Sequence, residues 1–236
     1  MRNRSWLKWL IAGGLAVVVL GVGGFLLYWN VIREDGEDPF ELTDVTSGTG
    51  ATTTTAAEAS ADAALDGTWT VASDSEAGYR AEEILFGQSG SATGRTSQVT
   101  GSLDITGTTV EAGVVTVDLA SVASGESLRD SQFQGRIMDV ATYPTAEFEL
   151  TEPIELESVP EVGTPVAASA TGELTVKDVT KSVTFDVNAQ LLPDGRIEVQ
   201  GSIPVVWAEY NIGAPSGGPA QVADDGAIEF LLRFAR

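Results

Sequence analysis

The chain has 236 residues, no Cys and no His, and a formal net charge of −21. Those two missing residue types rule out a Ser-His-Asp triad, a Cys nucleophile, a His general base and a His- or Cys-ligated zinc site. The acid excess argues against a nucleic-acid partner, because such surfaces need bases to neutralise phosphates.

The first segment, residues 1–32, carries an apolar run of 20 residues from Leu10 to Trp29, with no charge between Lys8 and Arg33. At about 1.5 Å per residue a helix of this length spans roughly 30 Å, the thickness of a bilayer's hydrocarbon core. Trp6 and Trp9 stand at one end, Tyr28 and Trp29 at the other, as interfacial aromatic belts do. Arg2, Arg4 and Lys8 precede the run, and Glu34, Asp35, Glu37 and Asp38 follow it. The positive-inside rule therefore predicts a single-pass helix in the cytoplasmic membrane, with the N-terminus cytoplasmic and the remainder extracytoplasmic. A cleaved signal peptide is the competing reading. Its apolar region is usually shorter, and no small-x-small site stands beside Tyr28-Trp29.

Residues 33–66 are rich in Thr, Ala, Gly, Ser and acids. Such a stretch buries too little apolar surface to offset the entropy of ordering, and it predicts a disordered linker. The Thr52–Thr55 run is an O-glycosylation candidate on an exported protein, or simply low complexity.

From 67 to 236 the dominant signal is period-two alternation. Val115, Val117 and Leu119 alternate with Thr116 and Asp118; Ala146, Phe148 and Leu150 with Glu147 and Glu149; Val183, Phe185 and Val187 with Thr184 and Asp186. Ile197, Val199, Gly201, Ile203, Val205 and Trp207 share one face, as do Ile228, Phe230, Leu232 and Phe234. Further runs lie near 68–72, 79–86, 98–106 and 166–176, for eight or nine strands in all. Turn signals fall at Thr106-Gly107, Pro193–Arg196 and Asp224–Gly226. One polar and one apolar face per strand predicts antiparallel sheet, closed as a barrel or a sandwich; the long run at 196–207 favours the barrel.

Alternation stops between Glu126 and Ile137, where Leu128, Phe133, Ile137 and Met138 fit one side of a short helix. Ser127 and Asp130 are placed to cap it. Tyr143-Pro144 then resets the chain to extended structure.

Several segments in order, GTWTV, VTGSLDI, VDLASVASGESLRD, MDVATYPTAEFEL, TGELTVKDVTKSVTFDV and WAEYNIGAP, resemble the YceI-like family of lipid- and polyisoprenoid-binding barrels. The resemblance covers most of 67–236. It implies an all-β fold: an elongated, eight-stranded antiparallel, lipocalin-like β-barrel with a short helical crossover. It also implies a long apolar ligand, an isoprenoid-like lipid or quinone-like molecule, in the lumen. The family often carries His in its first strand region and after the Arg-Asp pair; SDSEAGYR and RDSQF here have none. Asp178 stands where Gly is common.

The alternating faces offer Val117, Leu119, Phe148, Leu150, Phe185, Val187, Val205, Trp207 and Phe230 as apolar lumen walls. Trp207 and Tyr210, with Trp69 and Tyr79, are candidates for a barrel mouth, or for ordinary core. Arg80 and Arg95 are candidates for a ligand's polar head, or for salt bridges to the many acids. Arg129 and Asp130 lack a chemical partner for catalysis, so Arg129 is expected to tie the helix to the barrel or to border the entrance. Glu82-Glu83 and Asp224-Asp225 lack calcium-loop spacing and read as solvated surface. The expectation is a binding protein without cofactor or metal, not an enzyme. The alternative is a filled barrel serving as a cell-surface or stress-response interaction module. A carboxylate enzyme acting on lipid or glycan is a third reading and requires two acids about 5–9 Å apart in a cleft.

Overall fold

Alternating side chains from Gly67 onward pair into antiparallel sheet. The computed structural model describes residues 36–45, 65–85, 87–213, 216–217 and 220–236. The expected membrane helix lies outside those residues, and among the described residues no helix is long and apolar enough to cross a membrane.

The strands are β1 (Gly67–Val71), β2 (Glu76–Leu85), β3 (Gln88–Thr96), β4 (Val99–Thr106), β5 (Thr109–Asp118), β6 (Thr145–Leu150), β7 (Ile154–Glu155), β8 (Val166–Val176), β9 (Val179–Leu191), β10 (Ile197–Val206), β11 (Ser216–Gly217) and β12 (Ala220–Ala235). Eight of them follow one another around a ring in the order β1-β4-β5-β6-β8-β9-β10-β12. The ring closes where Thr70 and Val71 of β1 pair with Ala235 and Phe234 of β12. Closure removes the exposed edges that an open sheet would present to other chains. β2 pairs with β12 along the same edge as β1, so the β2–β3 hairpin extends that wall of the ring toward the helix end.

Between β5 and β6 the chain makes a 3-10 turn (Leu119–Ser121), helix α1 (Ser127–Gln132) and a π turn (Phe133–Ile137). Glu126 occupies the N-cap without a side-chain bond. Asp130 instead reaches back, accepting from the Ser124 N–H at 2.8 Å and the Ser124 hydroxyl at 2.6 Å. That carboxylate fixes the entry to the helix and sits in its first turn, where negative charge is favoured. This segment and the 3-10 turn Trp207–Tyr210 lie at one end of the barrel, called here the helix end. The opposite, turn end carries the hairpin turns at 107–108 and 192–196 and the 151–165 loop.

Three expectations need correction. Asp224–Asp225–Gly226 is not a turn but a bulge within β12, where the register shifts between Val222 and Gly226. β2 is the partner on both sides of it, so the bulge inserts extra residues into β12 without ending the strand. Glu83 is buried, not solvated, because Arg129 of α1 folds over it at 3.3 Å. Within the expected linker, residues 38–45 lie on the barrel: Phe40 is buried, and Thr43 bonds to Glu198 through its N–H and its hydroxyl, each at 2.8 Å.

Candidate functional site

The barrel interior is divided along its length. At the helix end, Leu119, Val122, Phe133, Met138, Val205, Trp207, Tyr210 and Ile212 are buried against one another and fill the lumen. Tyr79 stacks on Phe133 with ring centroids 5.2 Å apart. Burial pushes the Tyr79 hydroxyl up to about 12; Arg129 opposes that shift, while Asp130 and Glu83 reinforce it. Burial also raises Tyr210. Both phenols are therefore neutral at ordinary pH, and neither is poised to act as a base.

Toward the turn end the interior opens into a cavity of about 190 Å³. Its walls include Val115, Val117, Phe148, Leu150, Phe185, Val187, Val199, Phe230 and Leu232, and it reaches the turn end at Leu65, Gly107, Leu156 and Pro160. Among the described residues no polar atom faces it. Trp69, buried beneath, donates its indole N–H to the Leu65 carbonyl at 2.8 Å, which holds that wall in place.

Beside the cavity, aromatic rings extend over glycines. A Cβ on Gly201 would fall 2.4 Å from the Phe230 ring, and one on Gly172 would fall 2.4 Å from the Phe148 ring. Gly201 pairs directly with Phe230 across β10 and β12. With no side chain opposite, each ring folds onto the sheet instead of standing in the lumen. Phe185 meets both rings edge-on, at 5.3 Å from Phe148 and 6.0 Å from Phe230. Edge-to-face contacts of this kind add to the stabilisation from burial.

Of the residues nominated from sequence, Val117, Phe148, Leu150, Phe185, Val187 and Phe230 line this cavity. Leu119, Val205, Trp207, Tyr210 and Tyr79 do not; they belong to the filled helix end. Of the expected aromatic mouth, Trp207, Tyr210 and Tyr79 thus stand at the closed end, whereas Trp69 lies at the turn end beside Leu65. Arg80 points to the outer wall, where it pairs with Glu229 at 2.8 Å. Arg129 joins α1 to Glu83. Neither base is among the residues that line the cavity. Sequence reasoning missed Leu65, Leu156 and Pro160, which lie outside the alternating runs. It also missed Ala168 and Ala170, whose small side chains on a predicted strand were the available signal.

A family model described as the YceI-like domain matches residues 69–234. The chain belongs to the YceI-like family. Among solved structures, the YceI-like barrel resembles a polyisoprenoid binding domain from Saccharophagus degradans, with 17% identity and a TM-score of 0.55, covering 71% of this chain and 97% of that one. It also resembles BcnA from Burkholderia cenocepacia, with 22% identity and a TM-score of 0.54, covering 70% and 99%. At these identities the likeness is one of fold. A comparison with curated proteins found no match.

Proposed function

We propose that this YceI-like barrel binds a long apolar, isoprenoid-like lipid (a polyisoprenoid or a quinone-like molecule) in its lumen. The carrying observation is the cavity whose walls, among the described residues, present no polar atom. Only an apolar chain gains from entering it, since a polar group moved there would lose its hydrogen bonds to water. The Saccharophagus degradans relative, named for polyisoprenoid binding, supports the same reading. The function is binding rather than catalysis: the titratable groups at the helix end, Arg129, Glu83 and Tyr79, are separated from the cavity by packed core. On this reading the apolar run 10–29 anchors the chain in the cytoplasmic membrane and the barrel works on the extracytoplasmic side. A filled interaction module is the competing reading, and the open turn-end cavity weighs against it.

The test compares lipids that co-purify with the full chain and with an Ala170→Trp variant, whose indole would occupy the cavity. An apolar chain enriched on the parent protein and depleted on the variant supports the lumen. Identical lipid profiles would refute it. For topology, a reporter fused after Asp66 that works only in the cytoplasm would overturn the orientation.

A further inference from the structure

Glu198 points outward from β10. Its neighbours on that face, Ser202, Pro204 and Val206, are exposed, yet Glu198 has 0% exposure. Gln190, its cross-strand partner on β9, is buried as well. The segment Asp38–Val45 covers both. One Glu198 oxygen accepts the Thr43 N–H and the other accepts the Thr43 hydroxyl, both at 2.8 Å. Gln190 donates to the Thr43 carbonyl at 2.9 Å and to Glu198 at 2.8 Å. Arg233 of β12 donates to Glu198 at 2.9 Å and to the Thr43 hydroxyl at 3.3 Å. Side chains from three adjacent strands therefore satisfy the N–H, the C=O and the hydroxyl of a single residue. A buried carboxylate is tolerated only with such partners, so this wall is incomplete without the segment. Farther along, the Arg95 guanidinium lies 3.9 Å from the centroid of the buried Phe40 ring and donates to the Asp38 carbonyl.

The covered wall is continuous with the cavity rim. Gln190 and Leu191 both belong to the cavity lining. The Leu191 carbonyl accepts the Gly163 N–H at 2.8 Å, and Val45 packs against Gly163, where an added Cβ would fall 3.2 Å away. The loop that carries Gly163 also supplies Leu156 and Pro160 to the lining. Asp38–Val45 lies outside the family match at 69–234.

We propose that the outer wall of β9, β10 and β12, extended by Arg95 of β3, is a second binding site, for an extended peptide carrying Phe-x-x-Thr. Its occupant is this chain's own Asp38–Val45, and docking braces the cavity rim and slows exchange of the lumen's occupant. Recognition is of the type in which backbone groups supply affinity and two side chains supply specificity. The bracing clause rests on the lumen reading above; the peptide site does not.

Three measurements on the full chain test the proposal, comparing it with Phe40→Ala and Thr43→Ala, which leave the barrel's own side chains in place. By amide hydrogen exchange, the amide of residue 43 is expected to exchange about 100-fold faster in either variant while β9 and β10 stay protected. A labelled peptide of residues 36–46 is expected to bind the Phe40→Ala chain, whose site has been vacated, and not the parent chain. A diazirine-bearing farnesol, cross-linked to β8 and β9 and chased with unlabelled farnesol, is expected to leave Phe40→Ala about tenfold faster. Thr43 exchanging in the parent chain at the rate of unfolded peptide would overturn the peptide site. Lost protection with unchanged farnesol exchange would overturn the bracing. Intact protection with no lumen cross-link in any variant would overturn the lumen reading and the bracing clause together, leaving the peptide site standing.

Discussion

Gly201→Ala tests whether ring-on-glycine packing keeps the cavity open. The new methyl would sit 2.4 Å from the Phe230 ring carbon Cζ and 3.1 Å from Cε1 and Cε2. Relaxed carbon contacts lie at about 3.5–4.0 Å, so the ring must move by at least about 1 Å. Space for that movement lies on the lumen side, since Phe230 lines the cavity and already meets Phe185 edge-on. Overpacking of this kind costs about 1–3 kcal/mol. Gly201 has no left-handed backbone, so alanine adds no conformational strain there. Urea unfolding is expected to show that loss, and photo-cross-linking with diazirine farnesol to show reduced uptake. Adding Phe230→Leu, whose shorter side chain clears the methyl, is expected to restore both, a coupling that independent sites would not show. Full uptake in a Gly201→Ala protein destabilised to that extent would refute the reasoning, because the displaced ring would then have taken no space from the ligand.

Further perturbations probe the rest of the molecule. Burial alone would raise Glu198, but bonds from Thr43 and Gln190 and the nearby Arg233 charge outweigh it and hold its pKa below the ordinary carboxylate value. A depressed folded-state pKa contributes stability that is full above about pH 4.5 and is lost as pH falls through the folded value, so Glu198→Gln is expected to flatten that part of the acid limb in urea midpoints. Arg233→Ala leaves Glu198 without its cation and is expected to cost about 3 kcal/mol in the same assay. Arg196 donates to both oxygens of the exposed Asp74 at 2.9 and 2.8 Å and lowers its pKa, yet Arg196→Ala is expected to cost less than about 1 kcal/mol, because water screens the pair. Trp69→Phe removes the bond to the Leu65 carbonyl and is expected to cost about 1 kcal/mol.

Much of the barrel was legible because alternation reports which face of a strand is buried. It correctly turned Val117, Phe148, Leu150, Phe185, Val187 and Phe230 inward. Alternation carries no information about height along the barrel, which is why Leu119, Val205 and Trp207 share the inward phase yet fill the helix end. β3 was invisible because its sequence, QSGSATGRT, holds no large apolar residue. Its register instead places Gly94 opposite Tyr79, whose ring would meet a Cβ at 2.4 Å. The docked segment was illegible for another reason. Thr43 and Glu198 are 155 residues apart, and composition describes Glu41-Leu42-Thr43-Asp44 as linker because nothing local reveals the three strands that receive it.

The division of the interior follows from where the large and small side chains fall. Along β8 the inward residues run Ala168, Ala170, Gly172, Leu174, Val176 from the turn end to the helix end. Ala168 and Ala170 line the cavity, and Val176 joins the packed core beside Phe133 and Tyr210. An eight-stranded barrel has room for either packed side chains or one slender ligand. Here the choice is made level by level: bulky residues from the crossover and the 207–210 turn close one half, while alanines and ring-bearing glycines hold the other open. The cavity therefore has a closed floor at Leu174 and Ile203 and opens at the turn end, where Val45 packs against Gly163.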